Sequence, residues 1–382
     1  MKLQIRNKCS DYDSYRAARV KSLFNVETGA DFSRDVELPI DALDWKLGLV
    51  VGPSGSGKTS IGKTIFGGDE FIYSPEWPDD KPIVDAIGGN DFDEVTGALA
   101  SVGLGTVPTW LRPYPVLSNG EKFRCDLARL ICEAPDRVVV DEFTSVVDRQ
   151  IAKIGALAFS KAWRRTKKQC VLLSCHYDII EWLQPDWVYD TATGQWTGRG
   201  LPERPKLELD IWQTDWRYWH LFEPHHYLKL PKMVAATNYV GAIDGELVAH
   251  IAFGTQAGMK EARACRMVIM PEWQGAGVGM RFLNAVCDMW LRGENRYSKP
   301  MPTMFHTSHP GLCAALRRDP KWRQVSAHML GVNKKKSGES MAKSAARGKN
   351  AANVGYGGHM RAVQGFRYYG QAGVDAAAKA AK

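Results

Sequence analysis

The sequence predicts an α/β chain of two domains, a parallel α/β domain over residues 1–200 followed by an α+β domain over 201–382. Three observations lead there. A length of 382 residues suffices for two cores at roughly 150 residues per domain. Each half contains an apolar strand that runs into a glycine-rich turn and then a helical pattern: WKLGLVVGPSGSGKTSIGKTIF in the first and RMVIMPEWQGAGVGMRFLNAVCDMWL in the second. Between them, RGLPERPK places prolines among charges near residue 200 and reads as a linker.

Hydrophobic residues at 45% and charged residues at 24% exclude wholesale disorder and fibrous repeats. No apolar run reaches the roughly 18 residues of a membrane span, and MKLQIRNKCSDYDSYR lacks a signal peptide's apolar core, so a cytosolic location is expected. Cys9, Cys125, Cys132, Cys170, Cys175, Cys265, Cys287 and Cys313 form neither a CxxC pair nor a metal-ligand spacing. Reduced thiols are expected, with no disulfide and no zinc.

In the first half, strand-like pieces precede the buried strand KLGLVV. RVVV and VLLSC are further buried strands, KFRCDLARLIC is a helix, and DWVYDTATGQWTG reads as a hairpin. In the second half, LELDIWQTDWRYWHLF leads into YVGAIDGELVAHIAFG, two alternating strands around an Asp-Gly turn. MFHTS is a further strand, HPGLCAALRRD a helix, and GHMRAVQGFRYYG holds the last strands.

The run Gly52-Pro53-Ser54-Gly55-Ser56-Gly57-Lys58-Thr59-Ser60 matches a phosphate-binding loop in the right context, after a strand and before a helix. Glycines let backbone N–H groups curl around a β-phosphate, Lys58 supplies a point charge to the β/γ oxygens, and the Thr59 hydroxyl ligates Mg²⁺. Downstream, the strand RVVV ends in Asp141 and Glu142, suited to a water-mediated Mg²⁺ contact and to a general base. Leu117-Ser118-Asn119-Gly120-Glu121 opens a helix, and Asp148 and His176 follow. Taken singly, LSNGE reads equally as a helix cap and His176 as a core histidine.

In this order the five motifs resemble the ATP-binding-cassette (ABC) ATPase superfamily over residues 20 to 195: Walker A, signature, Walker B with its glutamate, D-loop and switch histidine. The resemblance implies ATP and Mg²⁺ as cofactors, with Thr59 and Asp141 at the metal. It also implies that Ser118 and Gly120 contact the γ-phosphate bound in a second protomer, hence an ATP-dependent homodimer. Only about 60 residues separate Walker A from the signature, and no glutamine is assignable to the Q-loop. The helical subdomain that couples transporters to membrane partners therefore looks truncated, and transport is the minor reading.

The second turn, from the strand end at Ile269 through Gln274, Gly275, Ala276, Gly277, Val278 and Gly279, is similar to the coenzyme-A pyrophosphate loop of GNAT acyltransferases. That likeness covers residues 205 to 370 and implies acetyl-CoA or another acyl-CoA. A packing turn of some other α/β domain is the alternative. GNAT enzymes usually take their acid from a tyrosine on the helix after the fifth strand, and HPGLCAALRRD has none. Tyr368 or Tyr369 is left as acid, and His306, His309 or the pair His225-His226 as base. Cys265 reads as a buried thiol rather than a nucleophile.

Charge is placed unevenly: 24 basic against 28 acidic side chains over residues 1–200, and 26 against 14 over 201–382. Residues 331–354 include NKKKSGESMAKSAARGKNAAN, too poor in large apolar groups to pack and expected to be a mobile basic segment. A solvated loop with no specific partner is its plainest reading; a polyphosphate partner is the functional one. The chain as a whole resembles ABC-type ATPases fused to a predicted acetyltransferase, and its second half is distantly similar to phage DNA-modifying acyltransferases of the Mom kind. These likenesses imply an ATP-gated, acyl-CoA-dependent acyltransferase acting on a nucleic acid, DNA base or tRNA. Two alternatives stand beside it: an acetyltransferase for a small amine or protein lysine regulated by the ATPase, and a nucleic-acid-binding ATPase with a non-catalytic GNAT module.

Overall fold

The computed structural model describes the chain except residues 8–13, 25–31, 42, 199–202, 227, 229–231, 234, 256–259, 333, 336–359 and 381–382. The described residues divide into two compact units, 1–90 with 112–205 and 91–111 with 206–382. The last boundary, at 205/206, falls at the end of the RGLPERPK run. The run 91–111, expected inside the first domain, instead belongs with the second.

Unit one opens with an antiparallel pair, β1 (Lys2–Asn7) and β2 (Phe32–Glu37), separated in sequence by the helix α1 (Tyr15–Phe24), which has no fully buried residue. The central strand β3 (Leu47–Val51) is buried along its whole length, as its uninterrupted apolar run requires of an inner parallel strand. It feeds α2 (Lys58–Ile65), after which come a short helix α3 (Ile83–Ala86) and the excursion into unit two, α4 (Phe92–Ser101) and α5 (Val107–Trp110). The chain returns for α6 (Asn119–Glu133), β4 (Arg137–Val140), α7 (Arg149–Trp163), β5 (Gln169–Ser174) and α8 (Ile180–Leu183), then the hairpin β6 (Trp187–Asp190) and β7 (Gln195–Thr197). The five strands lie in the order β4-β5-β3-β6-β7, the first four parallel. The carboxyl ends of β4, β5 and β3 therefore share one edge, where an open α/β sheet binds ligands. Val50, Ile61, Val139, Leu173 and Trp187 form the core beneath that edge.

Unit two is a seven-stranded sheet whose strands lie, in order, over 322–328, 363–368, 303–307, 262–269, 246–255, 237–243 and 210–214. It runs from β8 (Asp210–Thr214) through the short helix α9 (Trp219–Phe222) to the hairpin β9 (Thr237–Ile243) and β10 (Glu246–Thr255). Asp244 and Gly245 turn that hairpin with φ 51° and 81°, the left-handed pair expected of Asp-Gly. Next come β11 (Ala262–Ile269), α10 (Val278–Arg292), β12 (Thr303–Thr307), α11 (Pro310–Arg318), β13 (Trp322–His328), β14 (Val363–Tyr368) and a terminal helix over Gln371–Ala380. Only β11 and β12 are parallel, and they pair over Ala262–Ala264 alone before each continues separately. Helix α10 buries Phe282, Leu283, Val286 and Trp290 on the sheet, with Trp290 stacked on Phe253 at 5.2 Å. The excursion belongs here because α4 is amphipathic: Val95, Ala98 and Leu99 are buried, and Ala100 sits where an added Cβ at Gly311 of α11 would collide.

No described helix is long and apolar enough to cross a membrane.

Candidate functional site

Each unit carries a glycine-built loop at a helix N-terminus, and the two share one local geometry. Gly55 and Gly57 have φ 75° and 88° before α2, and Gly275 and Gly277 have φ 91° and 87° before α10. Alternating left-handed glycines turn successive N–H groups inward and leave no Cβ in the way. In unit one, a Cβ at Gly52 would collide with Thr191, whose hydroxyl bonds Ser56 Oγ at 2.6 Å. Lys58 Nζ is held over the loop by the carbonyls of Gly52 (2.8 Å) and Pro53 (2.7 Å). Thr59 and Ser60 lie in the first turn of α2, and Ser54 on the loop. A loop shaped this way fits the phosphates of a nucleotide.

Asp141 and Glu142 follow β4 directly. Asp141 caps the turn by accepting the Glu142 N–H at 2.8 Å, and Glu142 takes the left-handed conformation at φ 50°, a strained setting typical of functional turns. Phe143 ties this turn to β5 through Leu173 O at 2.8 Å, and Thr144 Oγ1 lies 3.4 Å from His176 Nδ1. Asp141, Glu142, His176 and the 52–60 loop thus gather at the carboxyl ends of three adjacent strands. Burial, helped by Arg149, lowers the His176 pKa, so the ring is neutral at pH 7. Ser118 is the N-cap of α6 in a full capping box with Glu121, the Ser118 N–H donating to Glu121 Oε2 at 2.9 Å. The cap reading of LSNGE is correct: Ser118 Oγ accepts the Glu121 N–H at 3.3 Å at the start of a 15-residue helix. Ile72 bridges β4 as an added edge, but no glutamine stands between it and Leu117.

In unit two, β11 carries a bulge that the sequence did not disclose. Between Cys265 and Val268 it has one residue more than β10 has between Ala252 and His250, and Arg266 takes φ 54°. The bulge lies where β11 leaves β12, one turn before the 271–279 loop. Gly279 packs tightly on β11, a Cβ there meeting Ile269 and Met267 at 3.3 Å. Ala276 and Val278 are buried beneath the loop. Gln274 Nε2 donates to Ile269 O at 3.0 Å, closing the turn, and its Oε1 accepts the Gly105 N–H at 3.0 Å.

Two histidines flank the bulge. His250 is fully buried among Trp216, Trp219 and Phe222; its Nδ1 lies 3.3 Å from Arg266 O, and its buried Nε2 has no partner among the described residues. Burial lowers its pKa to about 4. His306, on the other side in β12, also has a buried, unpartnered Nδ1, and burial with Arg263 and His328 nearby lowers it to about 4. Both rings are neutral at pH 7.

The other sequence candidates go elsewhere. His309 caps α11: its Nδ1 accepts the Leu312 N–H, so Nε2 carries the proton and donates to Gly105 O at 3.0 Å. Both nitrogens are committed. Tyr368 ends β14 and Tyr369 follows it; β14 runs antiparallel to β12, so Tyr368 lies level with Thr303 and Ala262, roughly 20 Å at the strand rise from the end of β11 where the loop begins. Burial and Asp288 push the Tyr368 phenol well above its usual pKa. His226 bonds Leu228 O at 2.7 Å within its own turn. Burial pushes the Cys265 thiol up. Most of the 331–354 basic segment lies outside the described residues; Lys334 and Lys335 are exposed.

No family model matches the chain. Among curated proteins it is similar to the cytochrome c biogenesis ATP-binding export protein CcmA of Rhodospirillum rubrum, 29% identical over 166 residues, which are 34% of this chain and 68% of the relative. It is also similar to the energy-coupling factor transporter ATP-binding protein EcfA1 of Enterococcus faecalis, 22% identical over 221 residues, 47% of this chain and 76% of the relative. Among solved structures, the ATP-binding cassette MJ0796 bound to ADP and Pi aligns with 53% of this chain and 100% of its own at a TM-score of 0.37 and 13% identity. The ribosomal-protein-S18-alanine N-acetyltransferase of Escherichia coli aligns with 42% of this chain and 93% of its own, at a TM-score of 0.29 and 11% identity.

Proposed function

We propose that this protein is an ATP-hydrolysing, acyl-CoA-dependent acyltransferase whose acceptor is a nucleic acid. In unit one, the 52–60 loop would hold the nucleotide phosphates, with Thr59 and Asp141 at Mg²⁺, which would supply charge neutralisation at the β/γ oxygens. Glu142 would take the proton of the attacking water and neutral His176 would position it. Ser118 and Gly120 of a second copy would complete the site, making hydrolysis a property of a homodimer. In unit two, the 271–279 loop would hold the coenzyme-A diphosphate. The bulge at Arg266 would turn ladder N–H groups toward a bound thioester carbonyl, the kind of donor acyl transfer needs. Neutral His306 would accept the proton of the acceptor amine.

One observation favours a nucleic-acid acceptor. The basic segment connects β13 to β14, and that connection leaves the sheet at the edge where β11 and β12 end and the 271–279 loop begins. Its root is fixed there: Ser308 Oγ donates to Ala362 O at 2.7 Å and the Gly331 N–H to Met360 O at 2.7 Å. A polycation rooted at that edge would be suited to bringing a phosphate backbone to the 271–279 loop.

The test measures ATP hydrolysis with and without duplex DNA or RNA, then transfer of labelled acetyl from acetyl-CoA to the same nucleic acid. Stimulated hydrolysis and labelled nucleosides support the proposal. The positions of Tyr368, Tyr369 and His309 favour a second reading, a nucleic-acid-binding ATPase with a non-catalytic acyl-CoA-type module, and stimulated hydrolysis without any transfer would select it.

A further inference from the structure

The excursion 91–111 leaves the phosphate-binding unit and returns to it, yet is built into the other unit. Its root is pinned within unit one, where the Ile83 N–H donates to Arg112 O at 2.9 Å and Pro82 bridges Pro113. Just beyond the root, Tyr114 stacks on Trp77 at 4.4 Å. Both donate to Asp126 on α6, the Tyr114 hydroxyl at 2.9 Å and the Trp77 Nε1 at 2.8 Å, and α6 is the helix that Ser118 caps. The root is therefore tied to the helix on which a second copy's nucleotide would rest.

The tip is held as firmly inside unit two. Gly105 uses both polar backbone groups: its N–H donates to Gln274 Oε1 and its carbonyl accepts from His309 Nε2, each at 3.0 Å. Trp110 meets the His309 ring edge-on at 5.5 Å and donates to Leu104 O at 2.7 Å, which stiffens the turn around Gly105. Because Gln274 also donates to Ile269 O, any displacement of Gly105 reaches the last residue of β11 and the start of the 271–279 loop. His309 passes the same displacement to the N-cap of α11.

We infer that residues 91–111 are a transmission element, through which nucleotide at the 52–60 loop and acyl-CoA at the 271–279 loop bias each other's binding by way of Gly105. The inference rests on reading 271–279 as an acyl-CoA site. Gln274 and His309 act in it as positioning residues. Linkage makes the coupling reciprocal: whatever factor nucleotide imposes on acetyl-CoA affinity, acetyl-CoA imposes on nucleotide affinity.

The experiment titrates acetyl-CoA into the full chain by calorimetry, with and without a non-hydrolysable ATP analogue and Mg²⁺, and repeats it with Gly311→Leu, which wedges α4 from α11. The wild type should show a Kd for acetyl-CoA that changes by about five-fold or more between the two states, the lower range of allosteric coupling. Gly311→Leu should bind both ligands with a change below about two-fold. Hydrogen exchange of the wild type supplies a readout independent of any variant: the analogue should alter protection over 100–111 and 269–279 together. Binding of both ligands with no change in affinity or exchange overturns the transmission role and leaves the acyl-CoA reading standing, as does a variant that keeps the full change. A wild type that binds no acetyl-CoA in either state overturns both.

Discussion

At the scale of single residues, the two glycine loops differ in what a side chain would do. Gly52 is enclosed by Thr191, whereas Gly277 combines the N-cap position of α10 with φ 87°, where a β-branched residue is strained on its own account. Gly277→Val should lower acetyl-CoA affinity at least 100-fold, since two or more hydrogen bonds to charged oxygens at about 1.5–3 kcal/mol each are lost, and should leave ATP affinity unchanged. Calorimetry with each ligand checks both halves, and unchanged acetyl-CoA binding would remove the pyrophosphate-loop reading. His250 gives a prediction in pH. Its pKa in the fold is about 4, below its value of 6.5 in the unfolded chain, so the unfolded chain binds the extra proton between those values. The stability His250 confers is present in full above pH 6.5 and falls as pH drops toward 4, by up to about 3 kcal/mol. Urea denaturation at pH 7 and pH 4.5 should show a smaller loss for His250→Phe than for the wild type; equal losses would place the pH dependence elsewhere, with His306 the next candidate.

At the scale of elements, what the sequence disclosed follows from local chemistry. The strand, loop and helix from Leu47 to Ile65 carry their own signature, and the β9–β10 hairpin was legible because an Asp-Gly pair is one of the few that suit two successive left-handed residues. Three features were not legible, each for a non-local reason. The periodicity of α4 shows that Val95, Ala98 and Leu99 are covered, but no sequence pattern says by which unit. The antiparallel pairing of β14 with β12 carries Tyr368 and Tyr369 to the far end of the sheet. The bulge at Arg266 has no glycine to mark it. Ser118 belongs to this scale, because one hydroxyl serves a cap and, on the proposed function, a partner's γ-phosphate. Ser118→Ala should destabilise the protein by about 1 kcal/mol. It should also abolish hydrolysis while nucleotide still binds to the 52–60 loop of the same chain. Ser118→Asp separates the roles: an aspartate caps the helix and restores stability, but its charge opposes the phosphate and hydrolysis stays absent. Recovery of hydrolysis with the cap would reduce Ser118 to a structural residue.

At the scale of the whole molecule, the charge division is the widest signal: −4 over residues 1–200 against +12 over 201–382, from the counts of charged side chains. Glu142→Gln should bind ATP, hydrolyse it hardly at all and accumulate as a dimer, because bound nucleotide stabilises the assembly it bridges. Light scattering that finds a monomer with and without ATP would refute the two-copy site. The basic segment provides the test of the proposed nucleic-acid acceptor. In sequence, residues 333–350 carry Lys334, Lys335, Lys336, Lys343, Arg347 and Lys349 with one acid, Glu339, and no aromatic to stack on a base. On the proposed function, such a segment would hold phosphates and confer no sequence preference. Replacing all six by serine should weaken DNA or RNA binding about equally for every sequence. It should also make the slope of log K against log salt shallower by up to about five units, at roughly 0.9 per phosphate contact on duplex DNA. Acetyl-CoA affinity should be unaffected, since none of the six belongs to the 271–279 loop. An unchanged slope, or a wild type that binds no nucleic acid at modest salt, would transfer the proposal to a small-amine or protein-lysine acceptor, which offers a polycation no phosphate backbone to hold.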